Sequence, residues 1–156
     1  MENLQLERLE LREIEVPLKH PFETSFGRTT RRRILLVRAF DRGGAYGYGE
    51  CVAPEEPFYN HETIDTAWLI AARYVAPLLA STRVASAAQV NPTLAPIRGN
   101  RMAKAAVEAA IWDLEARLAR EPLWRHIGGT LDEISCGVSI GLQETVEVLI
   151  DKVNRE

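Results

Sequence analysis

Apolar and polar positions alternate along residues 4–16: Leu4 and Leu6, then Leu9 and Leu11, then Ile14 and Val16. This period of two predicts a strand. The phase slips between Leu6 and Leu9 and again between Leu11 and Ile14. Each slip turns later side chains to the other face, which predicts a bulge or bend. Pro17 predicts the end of the strand, and Pro17, Pro21 and Gly27 mark residues 17–28 as a loop. Phe22 and Phe26 lie inside that loop and need cover from the core or a role in lining a pocket. Residues 29–40 form the second predicted strand, whose continuous run Ile34–Val37 predicts burial on both faces. Asp41-Arg42-Gly43-Gly44 reads as a hairpin turn. In the third strand, 45–51, Gly47 and Gly49 alternate with Tyr46, Tyr48 and Glu50. Bare positions on one face of a strand let another element approach closely. The three strands make an antiparallel meander.

The period then changes from two to that of a helix. A second loop, Val52–Asn60, combines Pro54 and Pro57 with Phe58 and Tyr59. Asn60 is placed to cap a helix over 61–79, with Ile64, Trp68, Ala71, Val75 and Leu78 as its apolar stripe. Pro77 predicts strain or termination in its last turn. Residues 86–98 read as a shorter helical segment broken by Pro92 and Pro96. The helix over 101–120 carries Val107, Ile111, Leu114 and Leu118 as one buried stripe. Ala103, Ala106, Ala109 and Ala110 open more of its surface to close packing. Pro122 begins a single turn to His126, and Gly128-Gly129 reverses the chain into a final short strand, Ser135–Leu142, with the start of a helix after it. Strands followed by helices indicate an α+β fold. The final strand needs a partner for its backbone groups, at the meander's edge or in a second domain.

A chain of 156 residues suits one domain, or one and a fragment. Net charge is −3, so no electrostatic pull toward nucleic acid or membrane is expected. The N-terminal stretch reads as neither a signal peptide nor a membrane span, and a cytoplasmic location is expected. Cys51 and Cys136 sit in apolar, strand-like contexts and are expected as buried, reduced thiols. Arg31, Arg32 and Arg33 could clamp an anion, but successive strand residues do not face one ligand, so a solvated strand end is expected. His20, His61 and His126 are scattered and are read as surface or satisfied histidines. Asp113 and Glu108, five apart, do not share a helix face and are read as a surface charge and a domain-packing charge respectively. Glu50, at the end of the third strand, is expected to be a hydrogen-bonded structural carboxylate. The sequence holds no phosphate-binding glycine loop, no HExxH, no paired-cysteine metal motif and no GxSxG.

Five pieces in order carry a likeness: LKHPFETSFG (18–27), GYGECVAP (47–54), RMAKAAVEAAIWDL (101–114), LWRHIGG (123–129) and CGVSIG (136–141). Together they resemble the enolase superfamily, and within it the o-succinylbenzoate synthases that also racemise N-acylamino acids. The resemblance implies that residues 1–130 are an enolase-like N-terminal capping domain. It implies that 131–156 are the incomplete start of a C-terminal (β/α) barrel, with Ser135–Leu142 as first strand and Glu144–Arg155 as the helix after it. It implies a lyase or isomerase of menaquinone biosynthesis, using Mg2+ to stabilise the anion formed when a lysine removes a proton next to a carboxylate. The family places its lysines and metal-binding carboxylates on later barrel strands. The three lysines here, Lys19, Lys104 and Lys152, include no Lys-x-Lys. A truncated piece of a larger enzyme, inactive alone, is therefore expected, with no catalytic residue and no metal ligand in this chain. What carries over is substrate-binding: Phe22 and Phe26 from the first loop, Pro54 and Tyr59 from the second, and Ser139 from the barrel strand. The partners implied are a small-molecule carboxylate, the rest of the barrel or a second copy, and a homo-oligomeric assembly. The alternatives are a dipeptide epimerase, a muconate cycloisomerase-like enzyme, or a non-catalytic stand-alone binding domain.

Overall fold

The computed structural model describes residues 4–25 and 27–156. Three strands, β1 (Leu6–Thr24), β2 (Gly27–Asp41) and β3 (Tyr46–Cys51), form one antiparallel sheet in the order β1-β2-β3. Helices follow: α1 (Ile64–Ile70), a π-helical turn (Ala71–Val75), α2 (Ala76–Thr82), a 3-10 turn (Ala87–Gln89), α3 (Val90–Thr93), α4 (Arg101–Ala119), α5 (Leu123–His126) and α6 (Val146–Val153). The chain divides into two compact units. One runs up to Ile14 and resumes over Arg33–Gly129; the other comprises Glu15–Arg32 and Thr130–Glu156. Among the described residues no helix is long and apolar enough to cross a membrane.

In the first unit the sheet carries the core on one face. Leu35, Val37 and Ala39 of β2 are fully buried, and β3 sets Cys51, Gly49 and Gly47 opposite them. The glycines exist for α4. A Cβ on Gly49 would lie 2.7 Å from the Ala110 nitrogen and closer still to the Ala106 carbonyl oxygen; one on Gly47 would lie 2.7 Å from the Leu114 Cα. Helix backbone and strand backbone are therefore in direct contact. From α4, Val107, Ile111 and Leu114 are fully buried, as are Ala103, Ala106 and Ala110, while Leu118 is half-buried and Ala109 exposed. Burying each large side chain of this stripe is worth about 1.5–3 kcal/mol. Burial of β2 on both faces is only partly realised: Ile34, Leu36 and Arg38 are half-buried.

Several expected boundaries move. β1 does not stop at Pro17 but runs to Thr24, and β2 begins at Gly27, so the expected loop 17–28 is mostly strand. β1 is the edge of the sheet, where a missing N–H can face away from the ladder, so Pro17 and Pro21 are tolerated. The exposure pattern along β1 carries the phase slips: Leu6, then Leu9 and Leu11, then Ile14, Val16 and Leu18 are its half-buried apolar positions. α1 is capped by Thr63, not Asn60: the Thr63 hydroxyl accepts the Thr66 N–H, and the Thr66 side chain accepts the Thr63 N–H in return. Pro77 does not end the helix. It follows a π-helical turn that contains Arg73, whose carbonyl, four residues earlier, a proline ring would otherwise strike.

In the second unit, residues 134–143 carry no regular secondary structure, so the expected strand Ser135–Leu142 is not a strand among the described residues. A segment without a neighbouring strand has no ladder to satisfy its backbone groups. Leu142 N–H does donate to the Glu23 carbonyl at 3.4 Å. Cys136 is exposed, not buried, for want of cover on this segment, whereas Cys51 is buried as expected. α6 opens at Thr145, whose hydroxyl accepts the Val148 N–H at 3.3 Å. Val138, Leu142, Val146, Ile150 and Val153 are all more than half exposed, so this unit presents a broad apolar face, and Ile140 is half-buried within it.

Candidate functional site

The connection from β3 to α1 has a pinned base and an exposed tip. Cys51 and Ala53 are buried, and burial pushes the Cys51 thiol up. Half-buried Pro54 accepts the Ile64 N–H on its carbonyl at 2.9 Å. Asn60 turns inward, its side-chain oxygen accepting the Glu62 N–H at 3.1 Å. Glu62 is the buried acid of the unit, 3% exposed, and its Oε2 accepts the N–H groups of Met102 at 2.9 Å and Ala103 at 3.3 Å. Those are first-turn donors of α4, which no local side chain caps. Asn100 is left-handed there (φ 48) and its amide donates instead to the Arg98 carbonyl. A carboxylate at a helix N-terminus also meets the positive end of the helix dipole. Between these anchors Phe58 and Tyr59 stand 71% and 79% exposed.

The expected structural acid, Glu50, is exposed instead, because the alternation of β3 turns it away from α4. Asp113, expected as a surface charge, fills the domain-packing role instead: its Oδ2 accepts the Tyr48 N–H at 2.8 Å and the Arg117 Nε–H at 2.9 Å, joining β3 to α4. The arginine run splits as the strand geometry requires. Arg31 pairs with Glu15 in the second unit. Arg33 donates to Glu13 at 2.7 and 3.0 Å and to Asp65 at 2.8 Å, so its charge is spent within the first unit. Those contacts hold the Glu13 carboxyl below its ordinary value.

His126 is satisfied, as expected, but more firmly than its isolation in the sequence suggests. Its Nδ1 lies 2.6 Å from Glu121 Oε1 and its Nε2 lies 3.3 Å from Glu115 Oε2, while its ring meets Trp112 edge-on at 5.9 Å. Only an imidazolium can donate from both nitrogens. The hydrogen bond it donates to Glu121, then that to Glu115, raise its pKa against the opposing effect of burial. Glu115 also accepts the Ala87 N–H at 3.1 Å, so the cluster ties α5, α4 and the 3-10 turn together.

In the second unit, Phe22 lies 47% exposed on β1, next to the segment that carries Ser139. A Cβ on Gly141 would touch the Phe22 ring at 3.6 Å. Ser139 is exposed. An open cleft of about 360 Å³ lies beside it, lined by Ile140, Leu142, Thr145, Val146 and Leu149 among others. Thus Phe22 and the 139–142 segment share one unit, and Pro54 and Tyr59 the other. Phe26 lies outside the described residues.

A sheet of three strands backed by a long helix, with aromatic connections at its end, is also what comparison finds. Residues 8–128 match the family model of the mandelate racemase / muconate lactonizing enzyme N-terminal domain. The chain belongs to this family, within the enolase superfamily. It is 41% identical over 152 residues to an o-succinylbenzoate synthase of Geobacillus kaustophilus, a match covering 97% of this chain and 40% of that protein. It is 39% identical over 150 residues to an N-succinylamino acid racemase of an Amycolatopsis species, covering 96% and 40%. A crystal structure of an enolase-superfamily member from Listeria innocua superposes with TM-score 0.88 at 38% identity, covering 98% of this chain and 41% of that one. The chain thus spans about two fifths of the length of the relatives it matches.

Within this enolase-superfamily fold, the resident residues do not fit a divalent metal. Among the described residues no group of three or more His, Cys, Asp or Glu side chains could hold an ion. Glu115 and Glu121 are already engaged by His126, and Glu13 and Asp65 by Arg33. No lysine pair is present to remove a proton. What the chain does supply is a capping fold whose connections expose apolar and aromatic side chains.

Sequence reasoning missed Glu62 and the pairing of His126. Glu62 carries no local signal: the need for an acceptor at the start of α4 arises from the left-handed backbone of Asn100, which leaves that helix without a local side-chain cap. For His126, the spacing to Glu121 and Glu115 was visible, but not the fold of α5 against α4 that brings them together.

Proposed function

We propose that the chain is the substrate-covering part of an o-succinylbenzoate synthase-like enzyme. Residues 1–130 form its capping domain and 131–156 the incomplete start of its (β/α) barrel. The reaction is a Mg2+-dependent dehydration that begins with loss of a proton next to a carboxylate, and racemisation of N-acylamino acids begins the same way. Phe22, Phe26, Pro54, Tyr59 and Ser139 are pocket walls in this reading. They shape the site and exclude water and carry no proton. The substrate is a small carboxylate. The enzyme works in the cytoplasm, where thiols such as Cys51 and Cys136 stay reduced. The rest of the barrel covers the apolar face around Val138, Val146 and Ile150, and the assembled enzyme is a homo-oligomer.

The observation that supports this reading is the exposed Phe58–Tyr59 tip on a firmly anchored connection, in a fold shared along nearly its whole length with synthases and racemases of this type. The test joins the chain to its barrel and assays it with Mg2+ on four substrates: the o-succinylbenzoate precursor, N-succinylamino acids, dipeptides and muconate. Dehydration, with or without racemisation, supports the proposal. Turnover confined to dipeptides or muconate replaces it with an epimerase or a cycloisomerase. The 156-residue chain alone is expected to give no turnover, and measurable dehydration by it contradicts the reading.

A further inference from the structure

Glu62 is the one buried polar or charged side chain among the described residues, and it sits three positions from Tyr59. Its carboxylate does not serve its own helix. Thr63 and Thr66 cap α1 without it. Instead Oε2 reaches 40 residues along the chain to Met102 N–H and 41 to Ala103 N–H. The helix it grips is fixed: the backbone of α4 rests on Gly47 and Gly49, with no side chain between to act as a cushion. The other end of the connection is held by the Pro54 carbonyl accepting Ile64 N–H. The loop therefore has a base tied at both ends to rigid elements, and an exposed tip. Such a base limits where the tip can be, and an ordered group costs less to recruit on binding than a free one.

We propose that Glu62 is a positioning residue, which through Met102 and Ala103 fixes where the 52–60 loop holds Tyr59 and so sets substrate affinity. This rests on the reading that the loop faces substrate. Loss of a residue that acts on binding alone raises KM and spares kcat, because that residue contributes equally to the ground and transition states.

The test compares Glu62→Ala, Glu62→Asp and Glu62→Gln in the chain joined to its barrel, with Tyr59→Ala as reference. Glu62→Ala raises KM about tenfold with kcat within about twofold. Glu62→Gln keeps an oxygen that accepts both N–H groups and stays within about threefold of the parent KM. Glu62→Asp keeps the charge but falls one methylene short, so its KM also rises, and it carries the test if the alanine variant does not fold. In the 156-residue chain, amide exchange at Met102, Ala103 and residues 55–60 quickens in the same variants and not in Glu62→Gln. Unchanged KM in the alanine and aspartate variants, with KM raised by Tyr59→Ala, overturns the inference and leaves the proposed function standing. Unchanged KM in all of them, Tyr59→Ala included, overturns both. Loop exchange that ignores Glu62, or a loss of kcat at constant KM, also overturns the inference.

Discussion

Replacing Gly49 by alanine tests the contact on which the first unit is built. The added methyl would enter the space of the Ala106 carbonyl and lie 2.7 Å from the Ala110 nitrogen, atoms of helix backbone that have no rotamer to escape into. Relief requires α4 to lift away from β3 by about an ångström, loosening Val107, Ile111 and Leu114, all fully buried beneath it. Overpacking of a core costs about 1–3 kcal/mol, and a clash with backbone belongs at the upper end. In a chain of this size, about 3 kcal/mol lowers Tm by roughly 6–12 °C. Gly137→Ala is the control, since a Cβ there meets nothing within 4 Å and its φ is not positive. It should fall within about 0.5 kcal/mol of the parent. Urea unfolding followed by far-UV circular dichroism reads both. A Gly49→Ala chain within about 1 kcal/mol of the parent would refute direct backbone contact between helix and strand.

Three further outcomes follow from the structure. His126 has its pKa raised by Glu121 and Glu115, so its contribution to stability is whole below its ordinary value of 6.5 and is lost as pH rises through the higher folded value. His126→Gln should therefore cost about 1 kcal/mol at pH 6 and less at alkaline pH; an equal loss at both, in parallel urea titrations, removes the charged pair from the account. Cys136 is exposed and Cys51 is 1% exposed with its thiol pushed up by burial, so a thiol reagent should label Cys136 at once and Cys51 only on unfolding. Equal labelling rates in the native chain would contradict the placement of both. Val146 and Ile150 are exposed on α6, and the 156-residue chain should bind a dye for apolar surface, less so as Val146→Glu with Ile150→Glu; no binding by the parent would count against the open face.

The sheet and its covering helix were legible because their signals are local and mutually consistent. Alternating Gly47 and Gly49 need a close neighbour, and α4 brings an alanine-rich stripe to provide it. Errors arose where context outweighs local chemistry. Pro17 and Pro21 are loop signals, yet an edge strand has a side where a missing N–H costs nothing. Pro77 is a helix breaker, yet a π-helical turn absorbs it. Asn60 reads as a cap, but Thr63 and Thr66 form the better one. Ser135–Leu142 has the pattern of a strand and lacks a ladder to join. Tyr59 and Phe22 stand out in the sequence as aromatic residues in proline-rich connections, and both are exposed in the structure. Glu62, which anchors one of those connections, does not stand out, because its partners lie 40 and 41 residues away and their need for an acceptor depends on one left-handed residue.

The proposed function has this chain cover a carboxylate substrate and leave the chemistry to the barrel. Steady-state kinetics of Tyr59→Ala in the chain joined to its barrel test it most directly. The account predicts KM raised about tenfold at a kcat within about twofold of the parent. An unchanged KM, or a collapse of kcat with KM held, would contradict it.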